Sequence, residues 1–295
     1  MAILAFDAGG SSVKYAAVKE DGKILEQGSF KTPADLAGFY EGLRQTKEKF
    51  AARYALSGAA FSMPGAVDDE SGVIGGASAI PYIHDFPIRQ AIGSRLGLPA
   101  AMENDANCAA LGEVWQGAAK GCRDVAFFVI GSGVGGAIVK DGRIHHGAHL
   151  HGGEFGYMVV DGQGTILSEA GSTRQMVHYY EELSGLKAGS VDGKFVFARA
   201  DAGEEKAQQA IQSMIDALAC AIYNIQYAYD PECMVIGGGI SARPDVVPMI
   251  RKSIDRILQK VQIARVRPDV RQARFGNDAN LMGAVCHFLQ QHPGV

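Results

Sequence analysis

The sequence predicts an α/β protein made of two related lobes, and three observations predict it. Apolar runs of period two alternate with longer segments of helical period. A glycine turn flanked on both sides by strand-like runs occurs twice, in "FDAGGSSVKYAAVKEDGKI" (Phe6 to Ile24) and "FFVIGSGVGGAIVKDGRI" (Phe127 to Ile144). Two helix-like stretches echo one another as well, "NDANCAALGEV" (Asn104 to Val114) and "NDANLMGAVCHF" (Asn277 to Phe288). Units repeated at wide spacing indicate a duplicated architecture.

Taken in order, strands are expected at 2–7 and 13–19, joined by the turn at Gly9 and Gly10. The pair Asp21-Gly22 then closes a hairpin, a task suited to a residue pair that tolerates positive φ. Amphipathic helices are expected at 33–51 and 86–96, with strands at 55–62 and 99–103. A helix at 105–117 follows, opened by a capping residue. The second turn lies between strands 125–131 and 134–140, and Asp141-Gly142 repeats the hairpin signal. Helices at 171–184 and 204–229, a strand at 232–237 and a helix at 278–291 complete the chain. The expected division is a smaller lobe of 1–112 plus 276–295 and a larger lobe of 113–275 carrying additional helices. The crossover lies near 108–120, with the last helix returning to the first lobe.

Composition bounds the function. The chain has 295 residues, 47% of them hydrophobic, enough for a sizeable core. Net charge is -4, with a pI near 6.1 and no basic stripe, which argues against nucleic-acid or anionic-membrane partners. "MAILAFD" has neither a basic flank nor a cleavage pattern, and no apolar run is long enough to span a bilayer, so a cytoplasmic location is expected. Five cysteines, an odd and widely spaced set without a CxxC pair, fit reduced thiols better than disulfides or a metal knuckle.

Two phosphate-binding patterns fail. No GxxxxGK followed by Ser or Thr occurs, and "GSGVGG" opens onto a strand rather than the helix a dinucleotide fold requires. What remains is a hairpin whose backbone N–H groups, bare of side chains at Gly9, Gly10, Gly131, Gly133, Gly135 and Gly136, can approach phosphate oxygens. A pair of such hairpins suits a polyphosphate gripped from two sides. One alone reads better as a tight turn; the pair together does not.

The strings "FDAGGSS", "ENDAN", "VIGSGVGG", "VIGGGIS" and "NDANLMGAV" stand in the order of the phosphate, connecting and adenosine motifs of the actin-like ATPase superfamily. With "MPGAVD" and "HGGEFGY" between them, the chain resembles the sugar kinases of the ROK family (repressor, open reading frame, kinase) from Phe6 to about Val285. The resemblance implies a two-lobed fold with an active-site cleft between the lobes, and ATP with magnesium as cosubstrate. It assigns Asp105 as the base that takes the proton of a sugar hydroxyl while the γ-phosphate approaches in line. The alternative for Asp105 is a helix cap, which is the reading for Asp278. Asp7 is expected to hold Mg2+ through water, since magnesium keeps part of its hydration shell. Gly9, Gly10, Ser11, Ser12, Gly131, Ser132 and Gly133 would contact phosphates, with Gly237, Gly238 and Gly239 beside the adenosine. Asn104, Glu154, Glu169 and Gly65 would meet the sugar, because each hydroxyl taken from water needs a partner. The alternative for the two glutamates is a solvated loop acid.

The sequence departs from many ROK proteins where a histidine would follow Glu154 by three residues; Tyr157 stands there, and neither Cys nor His occurs between Phe155 and Ser168. A structural zinc site needs about four such ligands, so none is expected. His145, His146, His149 and His151 are spaced irregularly and read as an exposed or substrate-rim loop. A phenol at position 157 can stack on a second sugar ring, and the zinc-less "GEFGYM" resembles the β-glucoside kinases of the family, which act on the 6-hydroxyl of the non-reducing glucose. Glucose, fructose and N-acetylated hexosamines are the alternatives. The family also holds transcriptional repressors, but these carry an amino-terminal helix-turn-helix, whereas here Met1 precedes Asp7 by six residues. A non-catalytic scaffold would not need Asn104, Asp105 and Glu154 together. A homodimer is implied by the resemblance alone.

Overall fold

A computed structural model describes residues 1–294. In chain order the elements are β1 (Ala2–Ala8), β2 (Ser12–Lys19), β3 (Ile24–Lys31), α1 (Leu36–Ala51), β4 (Leu56–Met63), β5 (Ala66–Asp68), β6 (Val73–Gly75), α2 (Ile88–Leu96), β7 (Ala100–Asn104) and α3 (Asp105–Gln116). They continue as β8 (Val125–Ile130), β9 (Val134–Lys140), β10 (Arg143–Ile144), α4 (Leu167–Ala170), α5 (Thr173–Ser184), α6 (Gly193–Asp201), α7 (Glu205–Tyr229), β11 (Cys233–Gly237), α8 (Val246–Lys260), β12 (Val270–Gln272) and α9 (Ala279–Gln291). The chain forms two compact units, one of Met1–Gly121, His146–Gly152 and Asn277–Val295, the other of Cys122–His145 and Gly153–Gly276. Compared with the division read from the sequence, residues 113–121 and His146–Gly152 fall in the first unit and Gly276 in the second. Helix α3 is one rigid rod and cannot be divided at residue 112, and His146 is bonded to β7 of the first unit.

In the first unit the sheet order is β3-β2-β1-β4-β7. β1 is antiparallel to β2 and parallel to β4, which is parallel to β7. "AILAFDA" is buried along nearly its whole length, as expected of a strand covered on both faces. One face carries Phe6 and Phe61, stacked with ring centroids 5.1 Å apart, together with Phe39, Leu43 and Phe50. Asp35 caps α1 by accepting from the N–H of Gly38 at 2.8 Å. The two echoing helices, α3 and α9, pack on each other at glycines: a Cβ on Gly283 would lie 1.6 Å from the carbonyl oxygen of Cys108.

The second unit repeats the plan with the order β10-β9-β8-β11-β12. β8 is antiparallel to β9 and parallel to β11, which is parallel to β12. Its core joins Phe128, Ile130 and Ile236 to the buried stripe of α7, including Met214, Leu218, Ile222 and Ile225. The expected helix over 171–184 is α5, which begins at Thr173 because Ser172 caps it by accepting from the N–H of Gln175 at 3.3 Å. Three further helices, α4, α6 and α8, lie outside the spans expected from the pattern. All five cysteines are free thiols, with the sulfurs of Cys122 and Cys233 3.6 Å apart. No helix among the described residues is long and apolar enough to cross a membrane.

Candidate active site

In the first unit the β1–β2 turn is closed by the N–H of Gly9 donating to the Ser12 carbonyl at 3.0 Å. Thr32, from the end of the sheet, braces it through its N–H to the Ser11 carbonyl at 3.2 Å and its hydroxyl to the Gly9 carbonyl. Gly10 and Ser11 are exposed at the tip, while Gly9 and Ser12 are half-buried. Asp7, at the end of β1, has its Oδ1 fixed by the Ser62 hydroxyl at 2.8 Å and the Asn280 amide at 2.9 Å. Its Oδ2 faces the Lys14 ammonium at 3.8 Å. This Oδ2 is an oxygen donor suited to a hydrated magnesium ion. Asp7 fits an outer-sphere role, and no group of three or more His, Cys, Asp or Glu side chains able to hold a metal occurs among the described residues. Lys14 was not singled out in the sequence, where it reads as an ordinary polar residue of an alternating strand.

The strand-to-helix junction at "END" separates the duties of neighbouring residues. Asn104 is the cap of α3: its Oδ1 accepts from the N–H of Ala106 at 2.9 Å and of Asn107 at 3.3 Å. Its Nδ2 donates to the Gly65 carbonyl at 2.9 Å, which brings two expected sugar contacts together and leaves one N–H of the amide for a ligand. Asp105 is the first residue of the helix and is exposed, with Oδ1 2.8 Å from the N–H of Ala106. Gly65 has φ of +102°, and a Cβ there would meet His84 and Ile74 at 2.9 Å, so only glycine lets this loop approach Asn104. Asp278 stands at the N-terminal boundary of α9 without a capping hydrogen bond from its side chain. Behind Asp105, Glu103 is fully buried and bonded to His146 at 2.7 Å. His146 is thus half-buried and turned toward Glu103, while His145, His149 and His151 are exposed on the same loop.

In the second unit the β8–β9 turn is closed by the N–H of Gly131 to the Gly133 carbonyl at 2.9 Å, leaving Ser132 exposed at its tip. Thr173 donates to the Gly131 carbonyl from both its N–H, at 2.9 Å, and its hydroxyl, at 2.6 Å. Ser168 accepts from the N–H of Val134 at 3.0 Å and donates to its carbonyl at 3.1 Å. These braces come from the "LSEAGST" segment, of which the sequence singled out only Glu169. At the end of β11 the Gly237–Gly239 segment lies beside the same turn: Gly238 has φ of +82°, and a Cβ there would fall 2.4 Å from the Ile130 carbonyl oxygen. Next to Ser132 opens a cavity of about 590 Å³ lined by Thr173, Arg174, Gln175, His178 and Glu181.

The "GGEFGY" segment is anchored by its apolar residues and offers its polar ones. Phe155 is buried with its ring 4.7 Å from that of Phe128, while Glu154 and Tyr157 are exposed, the latter at 69%. One turn of 3₁₀ helix (Phe155–Tyr157) holds the pair, with the N–H of Tyr157 donating to the Glu154 carbonyl at 3.2 Å. Glu169 is exposed on α4, with Oε2 3.4 Å from the N–H of Ile166, and lines a second cavity of about 250 Å³ with Gln175, Met176 and Tyr179. Neither Glu154 nor Tyr157 lines it.

A beta-glucoside kinase of Klebsiella pneumoniae is 33% identical over 98% of this chain and 97% of its own length. One of Listeria monocytogenes is 32% identical over 99% and 98%. The crystal structure of a ROK family protein from Streptococcus pneumoniae TIGR4 in complex with sucrose superposes with a TM-score of 0.90 at 38% identity, covering 99% of both chains. The fold is that of the two-lobed actin-like ATPases. The family model described as "ROK family" matches residues 3–291, so the two glycine hairpins, the "END" junction and the "GGEFGY" turn are those of a chain that belongs to the ROK family.

Proposed function

We propose that this protein is an ATP-dependent sugar kinase that transfers the γ-phosphate to the 6-hydroxyl of a glucose unit, preferentially in a β-glucoside such as cellobiose. The observation that carries the reading is the position of Asp105. It is an exposed carboxylate at the first residue of α3, next to Asn104, whose amide oxygen caps the helix. In this reading Asp105 accepts the proton of the attacking hydroxyl as the bond to phosphorus forms. The N–H groups at Gly9–Ser12 and Gly131–Gly133 receive phosphate oxygens, and Lys14 and Arg174 add positive charge near them. Bound magnesium would offset charge on the phosphates, and Asp7 would hold its hydration shell. Gly237–Gly239 and the cavity beside Ser132 accommodate the nucleoside.

Asn104, Gly65, Glu154 and Glu169 receive sugar hydroxyls, and Tyr157 offers its ring face to the second sugar of a disaccharide. The similarity to two proteins named beta-glucoside kinases supports that preference. The working protein is a cytoplasmic homodimer. ATP-dependent ADP release, measured across cellobiose, glucose, fructose and N-acetylmannosamine, tests the reading. Turnover on cellobiose well above glucose supports it; preference for a monosaccharide keeps the kinase and overturns the role of Tyr157. Sugar binding without turnover points to a sensor.

A further inference from the structure

We propose that Glu103 is the positioning residue of the base, fixing the Asn104–Asp105 turn through its buried carboxylate, and that His146 sets the pH range over which that hold persists. The inference rests on the kinase reading, in which Asp105 is the base. Glu103 has no exposed surface, and a carboxylate in that setting needs donors around it. It has three. Its Oε1 accepts from the backbone N–H of Asn104 at 2.6 Å and from the Asn107 amide at 2.9 Å. Those residues lie on either side of Asp105, so one carboxylate staples the strand end to the first helical turn across the residue that must be aimed.

The third donor comes from elsewhere in the chain. His146 Nε2 lies 2.7 Å from Glu103 Oε2 and belongs to a loop closed on itself by the N–H of Gly152 donating to the His146 carbonyl at 2.8 Å. The titratable and charged groups facing this histidine are Glu103 on β7, Asp68 at the end of β5 and Asp69 after it. His287 on α9 stands behind them, its Nδ1 4.0 Å from Glu103 Oε2 and its Nε2 3.4 Å from Asp69 Oδ2. Arg89 on α2 lies 3.8 Å from Asp69. The hydrogen bond to Glu103 holds the His146 imidazole above its ordinary range, burial opposes that, and the charges of Glu103, Asp69 and Asp68 add to it. A raised value means the charged pair is complete below the ordinary histidine range, about pH 6.5, and is lost as pH rises through the raised value. A neutral imidazole still donates, but a charge-assisted hydrogen bond is about twice as strong.

The test measures kcat and sugar KM for the native enzyme, Glu103→Gln and His146→Gln from about pH 5 to 9, which covers the ordinary histidine range and the pH above it. Native kcat is expected to fall on the alkaline side. His146→Gln keeps a donor without a titrating charge, so its alkaline limb should vanish and its kcat should match the native alkaline value, with KM within about twofold. Glu103→Gln should lower kcat about 10- to 100-fold, the scale of a misplaced group, with little change in KM. An unchanged alkaline limb in His146→Gln overturns the role of the histidine, and native kcat in Glu103→Gln overturns that of the glutamate. Should Glu103→Gln fail to fold, His146→Gln decides. A native protein that phosphorylates no sugar overturns the kinase reading separately. Amide exchange over residues 103–107 then reads the hold: faster exchange in His146→Gln supports it, and unchanged exchange overturns it.

Discussion

Asp105 and Asn104 are adjacent residues with similar side chains and opposite duties. The amide of Asn104 is committed to the helix and to Gly65, while Asp105 is exposed beside it. Asp105→Asn should therefore lower turnover at least about 100-fold, the range of general-base catalysis, while sugar affinity and melting temperature stay near native. Isothermal titration beside ADP release checks it. Tyr157, exposed on its 3₁₀ turn, has no buried contact to lose. Tyr157→Ala should raise KM for cellobiose about three- to tenfold, the worth of one aromatic face, and leave glucose within about twofold. At this scale the sequence was informative where a residue's neighbours along the chain define its setting, as at "END" and "GGEFGY". It was silent on the pairing of Glu103 with His146, 43 residues away, because only the fold brings them together.

Helices α3 and α9 meet at small residues. Gly283 faces the Cys108 carbonyl with no room for a methyl, and Gly112 faces the carbonyl of Ala279 in the same way. Gly283→Ala should destabilise the protein by about 1–3 kcal/mol, the usual cost of overpacking, readable as a lower urea midpoint with an unchanged slope. The echo "NDAN" with its downstream glycine was legible in the sequence, but that the two copies pack on one another was not. Strands β3 and β10 were implied by their Asp-Gly turns, which fix local geometry by backbone conformation. Helix α8 was missed despite a clear apolar stripe of Val246, Val247, Ile250 and Ile254, because Pro248 reads as a breaker. In the first helical turn its missing N–H has no intrahelical partner to lose.

At the scale of the molecule, the two units share one strand order, three antiparallel strands followed by two parallel ones, each with its glycine turn after the first strand. The sequence displayed the turns and the first hairpins. The parallel pairings of β4 with β7 and β11 with β12 depend on crossovers whose partners have no local signature. A kinase with this plan should be stabilised by either substrate alone. ATP with magnesium, or sugar, at a hundred times its Kd should add about 2.7 kcal/mol, seen as a rise in melting temperature that Asp105→Asn retains. A sensor would respond to sugar and ignore ATP.

The return of α9 to the first unit also bears on how the chain is made. Its residues Leu281, Met282, Val285 and Phe288 are buried, and the Asn280 amide holds Asp7. Yet the whole of the second unit lies between α3 and α9 in the chain. During synthesis, β1 to α3 leave the ribosome first but keep an uncovered apolar face until α9 emerges, after the second unit has been translated in full. The unit that begins the chain is thus the last to be completed, and Asp7 acquires its Asn280 partner only when translation has passed nearly every other residue of the site.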